Sequence, residues 1–137
     1  MILVDLNVIL DVLQARQPHY AASAEVLDRV LDGPVKGVVS AHAVTTIHYL
    51  VKRYRDASVA HEAVEWLMRH FEIAPIGRAQ LLRAKSLRLT DFEDAVVAAA
   101  AESSGCEFIV TRNIKDFAGS PVHALTPDEY LATGCES

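Results

Sequence analysis

The chain has 137 residues, of which 51% are hydrophobic and 23% are charged, and its formal net charge is -5. A chain of this length typically forms one domain, which needs neither a disulfide nor a metal ion merely to fold. The hydrophobic content excludes a disordered chain, and the longest apolar run, residues 95–101, is too short to cross a bilayer. The acidic balance argues against binding of nucleic acid through a broad basic surface.

The N-terminus and the two cysteines bear on the cellular location of the protein. The N-terminus lacks the basic region of a signal peptide and has an acid at position 5, so we do not expect it to be one. Cys106 and Cys135 form neither a disulfide framework nor a zinc motif, so we expect a cytoplasmic location. We predict a single domain over residues 1–132 and a frayed tail over residues 133–137.

Five short apolar runs are predicted to be β-strands, and Asp5 follows the first of them directly. The runs cover residues 2–4, 35–39, 72–76, 107–111 and 122–125. They are rich in Ile and Val and apolar on both faces, which is typical of parallel strands that are covered by helices on both sides.

The segments between these strands have apolar residues at helical spacing. Helices are predicted over residues 21–31, 44–51, 59–67, 79–87 and 91–104. The alternation of strands and helices predicts an α/β protein, a three-layer α/β/α sandwich with a central, mainly parallel sheet.

Three polar patterns predict where helices begin and end. Thr90 with Glu93, and Thr126 with Glu129, have the spacing of a capping box. Gly105 follows the long helix and is expected to end it.

Three aspartates are expected to meet at one edge of the sheet. Asp5 follows the first strand, Asp94 stands in the first turn of the long helix, and Asp116 follows the fourth strand. Each is unremarkable alone, since acids are common in turns and in first helical turns. Together they would repel one another unless a cation is bound, and Mg²⁺ or Mn²⁺ suits such carboxylates. A site of this kind can activate water and polarise a phosphodiester.

Three segments resemble those of PIN-domain ribonucleases, of the kind found as the VapC toxin of VapBC toxin–antitoxin pairs. They are the N-terminal stretch with Asp5 and Asn7, the helix start at residues 94–99, and the closing segment Thr111–Phe117. The resemblance extends over essentially the whole chain and implies a PIN-like fold.

The resemblance implies Mg²⁺- or Mn²⁺-dependent endonucleolytic cleavage of single-stranded RNA, with Asp5, Asp94 and Asp116 as catalytic metal ligands. It also implies that Asn7 fixes Asp5 by a hydrogen bond and that Thr111 positions a phosphate or a metal-bound water. The partners implied are the RNA substrate, a small antitoxin protein that occludes the active site with a basic side chain, and a second copy of the chain in a homodimer.

The chain departs from the family pattern at two positions. Thr46 stands where a Glu is usual, and Asn113 stands where an Asp is usual. They can still offer a hydroxyl and a carbonyl oxygen, and Asp91 is a supplementary acid. The loss of two charges predicts weaker binding of a divalent cation. The alternative function is therefore a catalytically weakened module that binds an antitoxin or RNA without efficient cleavage.

Basic and imidazole side chains near these motifs have less specific interpretations. Arg112 and Lys115 lie within the closing segment and are candidates for contacts with RNA phosphates, although a purely structural use is equally compatible with their positions. His42 and His48 lack the spacing and partners of a zinc site, so we expect ordinary helix histidines.

Overall fold

A computed structural model describes residues 1–133 of the chain. The strands are β1 (Ile2–Val4), β2 (Gly37–Ser40), β3 (Glu72–Ala74), β4 (Phe108–Val110) and β5 (His123–Leu125). The helices are α1 (Leu6–Leu13), α2 (Tyr20–Leu31), α3 (Ala41–Tyr54), α4 (Ala57–His70), α5 (Arg78–Ser86), α6 (Phe92–Ser103) and α7 (Pro127–Ala132). A 3₁₀ turn spans Ile114–Phe117.

The five strands form one sheet in the order β3-β2-β1-β4-β5, and all pairings between the described strands are parallel. Ile2 of the central strand pairs with Gly37 on one side and with Phe108 on the other. The chain runs outward from β1 in both directions, so the carboxyl end of β1 is the point at which ligands bind in sheets of this type. The predicted parallel sheet is confirmed.

Helices cover both faces of the sheet, which confirms the predicted three-layer sandwich. Helices α1–α4 and α7 pack on one face, where Ile2 and Val4 are buried with them. Helix α6 packs on the other face against Leu3 and Ile109, and α5 lies against α6. Alternate residues of β1 thus enter different cores, which explains why the strand is apolar on both faces.

Strand β2 begins at Gly37 rather than at residue 35 as predicted, and the chain lies close to Val30 and Phe71 at this glycine. A Cβ atom at this position would lie 2.7 Å from Cγ1 of Val30 and 2.9 Å from ring atoms of Phe71. Only glycine fits this approach, and residues 35–36 belong to the preceding connection rather than to the strand.

The predicted helix ends are confirmed at two positions and wrong at a third. Thr126 and Glu129 form the predicted capping box at the start of α7, and Gly105 follows α6 with a φ of 74°. The capping box predicted for Thr90 and Glu93 does not form. Asp91 is the N-cap instead, and its Oδ1 accepts hydrogen bonds from the amides of Glu93 (2.7 Å) and Asp94 (3.2 Å).

Three further expectations concern membrane-spanning helices, the cysteines and the C-terminal tail. None of the helices in residues 1–133 has the length and apolar character needed to cross a membrane. Cys106 is a buried free thiol, and burial raises its pKa to about 11. Thr133 is the C-cap of α7, whereas the rest of the predicted tail, with Cys135, lies outside the described residues.

Candidate active site

A cleft of about 270 Å³ opens at the carboxyl edge of the sheet, where β1 and β2 end. Of the predicted site residues, it brings together Asp5, Asn7, Thr46, Asp94 and Asn113. Its other lining residues are Leu6, Leu10, Arg16, Ser40, His42, Ala43, Glu93 and Val97. The cleft therefore joins Asp5, which follows β1, with residues from β2, α1, α3 and α6 and from the segments that follow α1 and β4.

Asp5 is held at both of its carboxylate oxygens. It is the N-cap of α1, and its Oδ1 accepts a hydrogen bond of 2.8 Å from the amide of Leu6. Its Oδ2 accepts a hydrogen bond of 2.8 Å from the hydroxyl of Thr111. A carboxylate that is restrained in this way is oriented before any ligand arrives.

Thr111 is the centre of the hydrogen bonds around Asp5. Its side chain is fully buried, and its Oγ1 accepts hydrogen bonds from Nδ2 of Asn7 (3.2 Å) and from the amide of Asn113 (3.1 Å). Asn7 therefore supports Asp5 through Thr111 rather than by the direct bond expected from the resemblance. Because Thr111 is buried and donates to Asp5, it orients that carboxylate, and the contact with a phosphate or a metal-bound water stays a prediction.

The acids at the start of α6 have different roles. Asp94 lines the cleft, whereas Asp91 is exposed and caps the helix. Desolvation and the negative charges of neighbouring acids raise the pKa of Asp94 to about 6, with Asp91 and Asp5 the largest charge contributors. Asp91 thus acts on the site through its charge, and its oxygen is already engaged by the helix amides.

Asp116 brings a third negative charge to this edge of the sheet. It is exposed on the 3₁₀ turn, and its charge contributes to the raised pKa of both Asp5 and Asp94. Burial is the main cause of the raised pKa of Asp5, and the hydrogen bonds from Thr111 and Leu6 oppose it. The three predicted aspartates therefore interact electrostatically although they come from different elements.

The carboxylates do not form a preassembled cage. Among residues 1–133, no group of three or more His, Cys, Asp or Glu side chains is close enough to hold a metal ion as it stands.

The two basic residues of the closing segment differ from each other. Nε of Arg112 donates a 2.8 Å hydrogen bond to Oδ2 of the buried Asp11, so this side chain points into the protein. Arg112 is therefore engaged by Asp11 through its Nε, and its predicted phosphate contact stays a prediction. Lys115 is exposed beside Asp116 and stays a candidate for that contact.

Arg16, His42 and Glu93 line the cleft but were not predicted to belong to the site. Arg16 lies in the connection between α1 and α2, and its Nε donates to Oε1 of Gln14 at 2.8 Å. No periodic pattern marks this connection, so sequence reasoning had no signal for Arg16. His42 offered one indirect signal, since it follows Ser40 at the end of β2.

Comparison with known proteins gives a consistent result. The sequence profile described as the PIN domain matches residues 1–115. Ribonuclease VapC1 of Aquifex aeolicus (strain VF5) is 26% identical over 134 residues, which cover 94% of this chain and 92% of that protein.

Solved structures with the same fold come from toxin–antitoxin complexes. One from Klebsiella pneumoniae superimposes with a TM-score of 0.71 at 24% identity, covering 93% of this chain and 98% of that chain. FitAcB from Neisseria gonorrhoeae superimposes with a TM-score of 0.73 at 23% identity, with the same coverage of both chains. At this identity, the structural likeness shows the fold alone.

Proposed function

Because the chain belongs to the PIN-domain family, we propose that it is a metal-dependent endoribonuclease, a hydrolase that cleaves single-stranded RNA as the toxin of a type II toxin–antitoxin system. The observation that carries this proposal is the placement of Asp5, Asp94 and Asp116 at the carboxyl edge of the sheet, where the charges of Asp5 and Asp116 both raise the pKa of Asp94 and the charge of Asp116 also raises the pKa of Asp5. The relative named Ribonuclease VapC1 supports the choice of RNA as substrate.

The donor set fits a divalent cation. Asp5, Asp94 and Asp116 offer hard carboxylate oxygens, and Asn113 and Thr46 offer a carbonyl and a hydroxyl, which are ligands that suit Mg²⁺ or Mn²⁺. After desolvation, repulsion by the neighbouring acids raises the pKa of Asp94, and a bound cation would remove this repulsion. When bound there, the ion would supply Lewis-acid chemistry that polarises a phosphodiester and favours deprotonation of water.

The surrounding side chains orient these acids and bind the substrate. Thr111 holds Asp5 in one orientation, so the reacting groups require little rearrangement. Arg16 lines the cleft, and none of the described carboxylates pairs with it, so it is available for a phosphate of the RNA. The exposed Lys115 beside Asp116 is a second candidate for such a contact.

The test is cleavage of a pool of single-stranded RNA with Mg²⁺, with Mn²⁺ and with EDTA. We expect cleavage by the wild type with either ion, none with EDTA, and at least about tenfold slower cleavage by Asp5→Asn and Asp94→Asn. The matched control is Glu65→Gln, which removes an exposed acid of α4 outside the cleft.

Two other outcomes would each contradict the proposal in a different way. Cleavage that persists in EDTA and in both aspartate variants would overturn the metallonuclease assignment. RNA binding by the wild type without cleavage under any condition would favour the catalytically weakened module, with Thr46 and Asn113 as its cause.

An apolar groove next to the cleft is our candidate site for the antitoxin. The groove has a volume of about 600 Å³ and lies between the end of α1 and helices α3 and α4. Leu13 and Tyr54 line it and are exposed, and Arg16 lines both the groove and the cleft. An antitoxin segment seated here would reach the acids with a basic side chain, as the resemblance implies.

Co-expression with the product of the adjacent reading frame tests the partner. A complex that suppresses cleavage and is lost in Tyr54→Asp supports the groove as the antitoxin site. A complex that this substitution does not affect places the antitoxin elsewhere. The homodimer and the cytoplasmic location stay predictions, and sedimentation velocity measures the first of them.

A further inference from the structure

Asp11 of α1 is a buried carboxylate that the proposed chemistry does not use. Its side chain is 0% exposed. Its Oδ2 accepts hydrogen bonds from Oγ of Ser23 (3.0 Å) and from Nε of Arg112 (2.8 Å), whereas its Oδ1 has no partner among residues 1–133. This ion pair joins residues that are 101 positions apart in the chain.

Such an arrangement is a poor way to stabilise a fold. Removing a carboxylate and a guanidinium from water costs free energy that their attraction often only balances, and apolar residues of similar size frequently serve at least as well. An unpartnered carboxylate oxygen adds a further cost. The Asp11–Arg112 pair is therefore better explained by what it holds in place than by a contribution to stability.

Arg112 lies between two residues of the candidate active site. Thr111 donates to Asp5, and Asn113 lines the cleft and donates its amide to Thr111. The backbone amide of Arg112 donates to Oδ1 of Asn7 at 3.2 Å. Residue 112 is thus attached to α1 twice, by its amide to Asn7 and by its side chain to Asp11.

We propose that Asp11 is a positioning residue, which acts through Arg112 to fix residues 111–113 against the helix that Asp5 caps. With this segment fixed, the Thr111 hydroxyl stays on Asp5 and Asn113 stays at the cleft. When the segment is released, Asp5 loses its orienting partner, whereas Arg16 and the cleft residues on α3 and α6 keep their places. This role in catalysis rests on the proposed ribonuclease function.

The decisive variant replaces the whole buried polar group at once, as Asp11→Leu/Ser23→Ala/Arg112→Met. No charge is then left buried alone, so we expect the protein to stay folded with a melting temperature near that of the wild type. We expect kcat for RNA cleavage to fall at least tenfold while KM changes less than threefold. We also expect hydrogen exchange of the Asn113 amide to quicken at least tenfold, with amides of the β-sheet unaffected.

A matched control removes an ion pair of the same type from the surface. Nε of Arg83 donates to Oε1 of Glu102 at 2.9 Å, and both side chains are exposed. The variant Arg83→Gln/Glu102→Gln should keep the wild-type kcat and the wild-type exchange of the Asn113 amide.

A second variant keeps the proposal testable if the triple variant does not fold. Arg112 lines a pocket of about 450 Å³ together with Ser23, so a guanidinium ion can reach the space left by Arg112→Ala. Millimolar guanidinium should restore kcat to this variant, and the same concentration of sodium chloride should not.

The results separate the positioning role from the proposed function. A folded triple variant with wild-type kcat and wild-type Asn113 exchange would overturn the positioning role. In Arg112→Ala, failure of guanidinium to restore kcat would also overturn it. If the wild type does not cleave RNA, the proposed function fails, yet Asn113 exchange still shows whether Asp11 fixes the segment.

Discussion

The carboxyl group of Asp94 binds a proton more tightly in the folded protein than in the unfolded chain, because desolvation and four acidic neighbours raise its pKa to about 6. Its contribution to folding stability is present in full below its ordinary pKa of 3.8 and is lost as the pH rises through about 6. Above that pH the folded protein carries an uncompensated repulsion, which a cation can relieve.

Stabilisation by Mn²⁺ should therefore depend on pH. A metal ion must compete with the proton on Asp94, so its apparent affinity should be about tenfold weaker at pH 5 than at pH 7.5. Melting temperatures measured over a Mn²⁺ titration at both pH values report this affinity through linkage. We expect a larger rise at pH 7.5.

Two variants show whether this effect belongs to the site. Asp94→Asn should melt without a Mn²⁺-dependent shift at either pH, whereas Glu65→Gln should behave like the wild type. Equal shifts at pH 5 and pH 7.5 in the wild type would contradict the coupling between the metal ion and the proton.

For individual residues, the sequence shows which ones directly follow a strand. It does not show which ones are brought together by contacts between distant parts of the chain. Asp5 and Thr111 could be assigned to the sheet edge because each follows an apolar run. Asp11 and Arg112 could not be paired, since their contact joins positions 101 residues apart and nothing in either local sequence indicates it. Arg16 was missed because its position depends on how the connection after α1 folds back.

The N-terminus of α6 shows what the sequence leaves open about an element. Thr90 and Asp91 are both good N-cap residues, so the pattern alone did not distinguish a helix that starts one residue earlier from the observed one. The sequence likewise located the strands but did not determine their first and last residues. Hydrophobicity marked residues 35–39, whereas β2 covers Gly37–Ser40 and its first residue packs closely against Val30 and Phe71.

Substitutions at the start of α6 should confirm the cap. Asp91→Ala removes the acceptor for the amides of Glu93 and Asp94, so it should lower the free energy of unfolding by about 1 kcal/mol. Asp91→Asn keeps an acceptor and should cost much less. Urea unfolding at pH 7 measures both, and Thr90→Ala is the control with little expected effect. A larger loss in Thr90→Ala than in Asp91→Ala would return the cap to Thr90.

The net charge of -5 describes the whole molecule but not the field at the cleft. Asp5, Asp94 and Asp116 form an acidic site that would repel RNA phosphates unless a cation is bound, and a bound cation inverts the local field. The sequence therefore argues only against a broad basic surface. With Arg112 turned inward to Asp11, Arg16 is the cleft residue best placed to add a local positive charge.

Arg16→Gln should weaken RNA binding in a salt-dependent way. A single phosphate contact to a single strand contributes about 0.7 to the slope of log affinity against log salt concentration. The substitution should reduce the slope by about this amount, and the affinity at low salt should fall several-fold for all RNA sequences alike. Fluorescence anisotropy with a labelled single-stranded RNA, in an Asp5→Asn background that slows cleavage, measures both quantities.

The control for this measurement is Arg69→Gln, which removes an equal charge from α4 next to the start of β3, at the opposite edge of the sheet. Both variants carry the same net charge, so any difference between them reflects where the charge lies. If the two lower the slope equally, RNA senses only the total charge of the protein. A slope reduced in Arg16→Gln alone would show that the phosphate backbone passes the mouth of the cleft, where the acids can reach it.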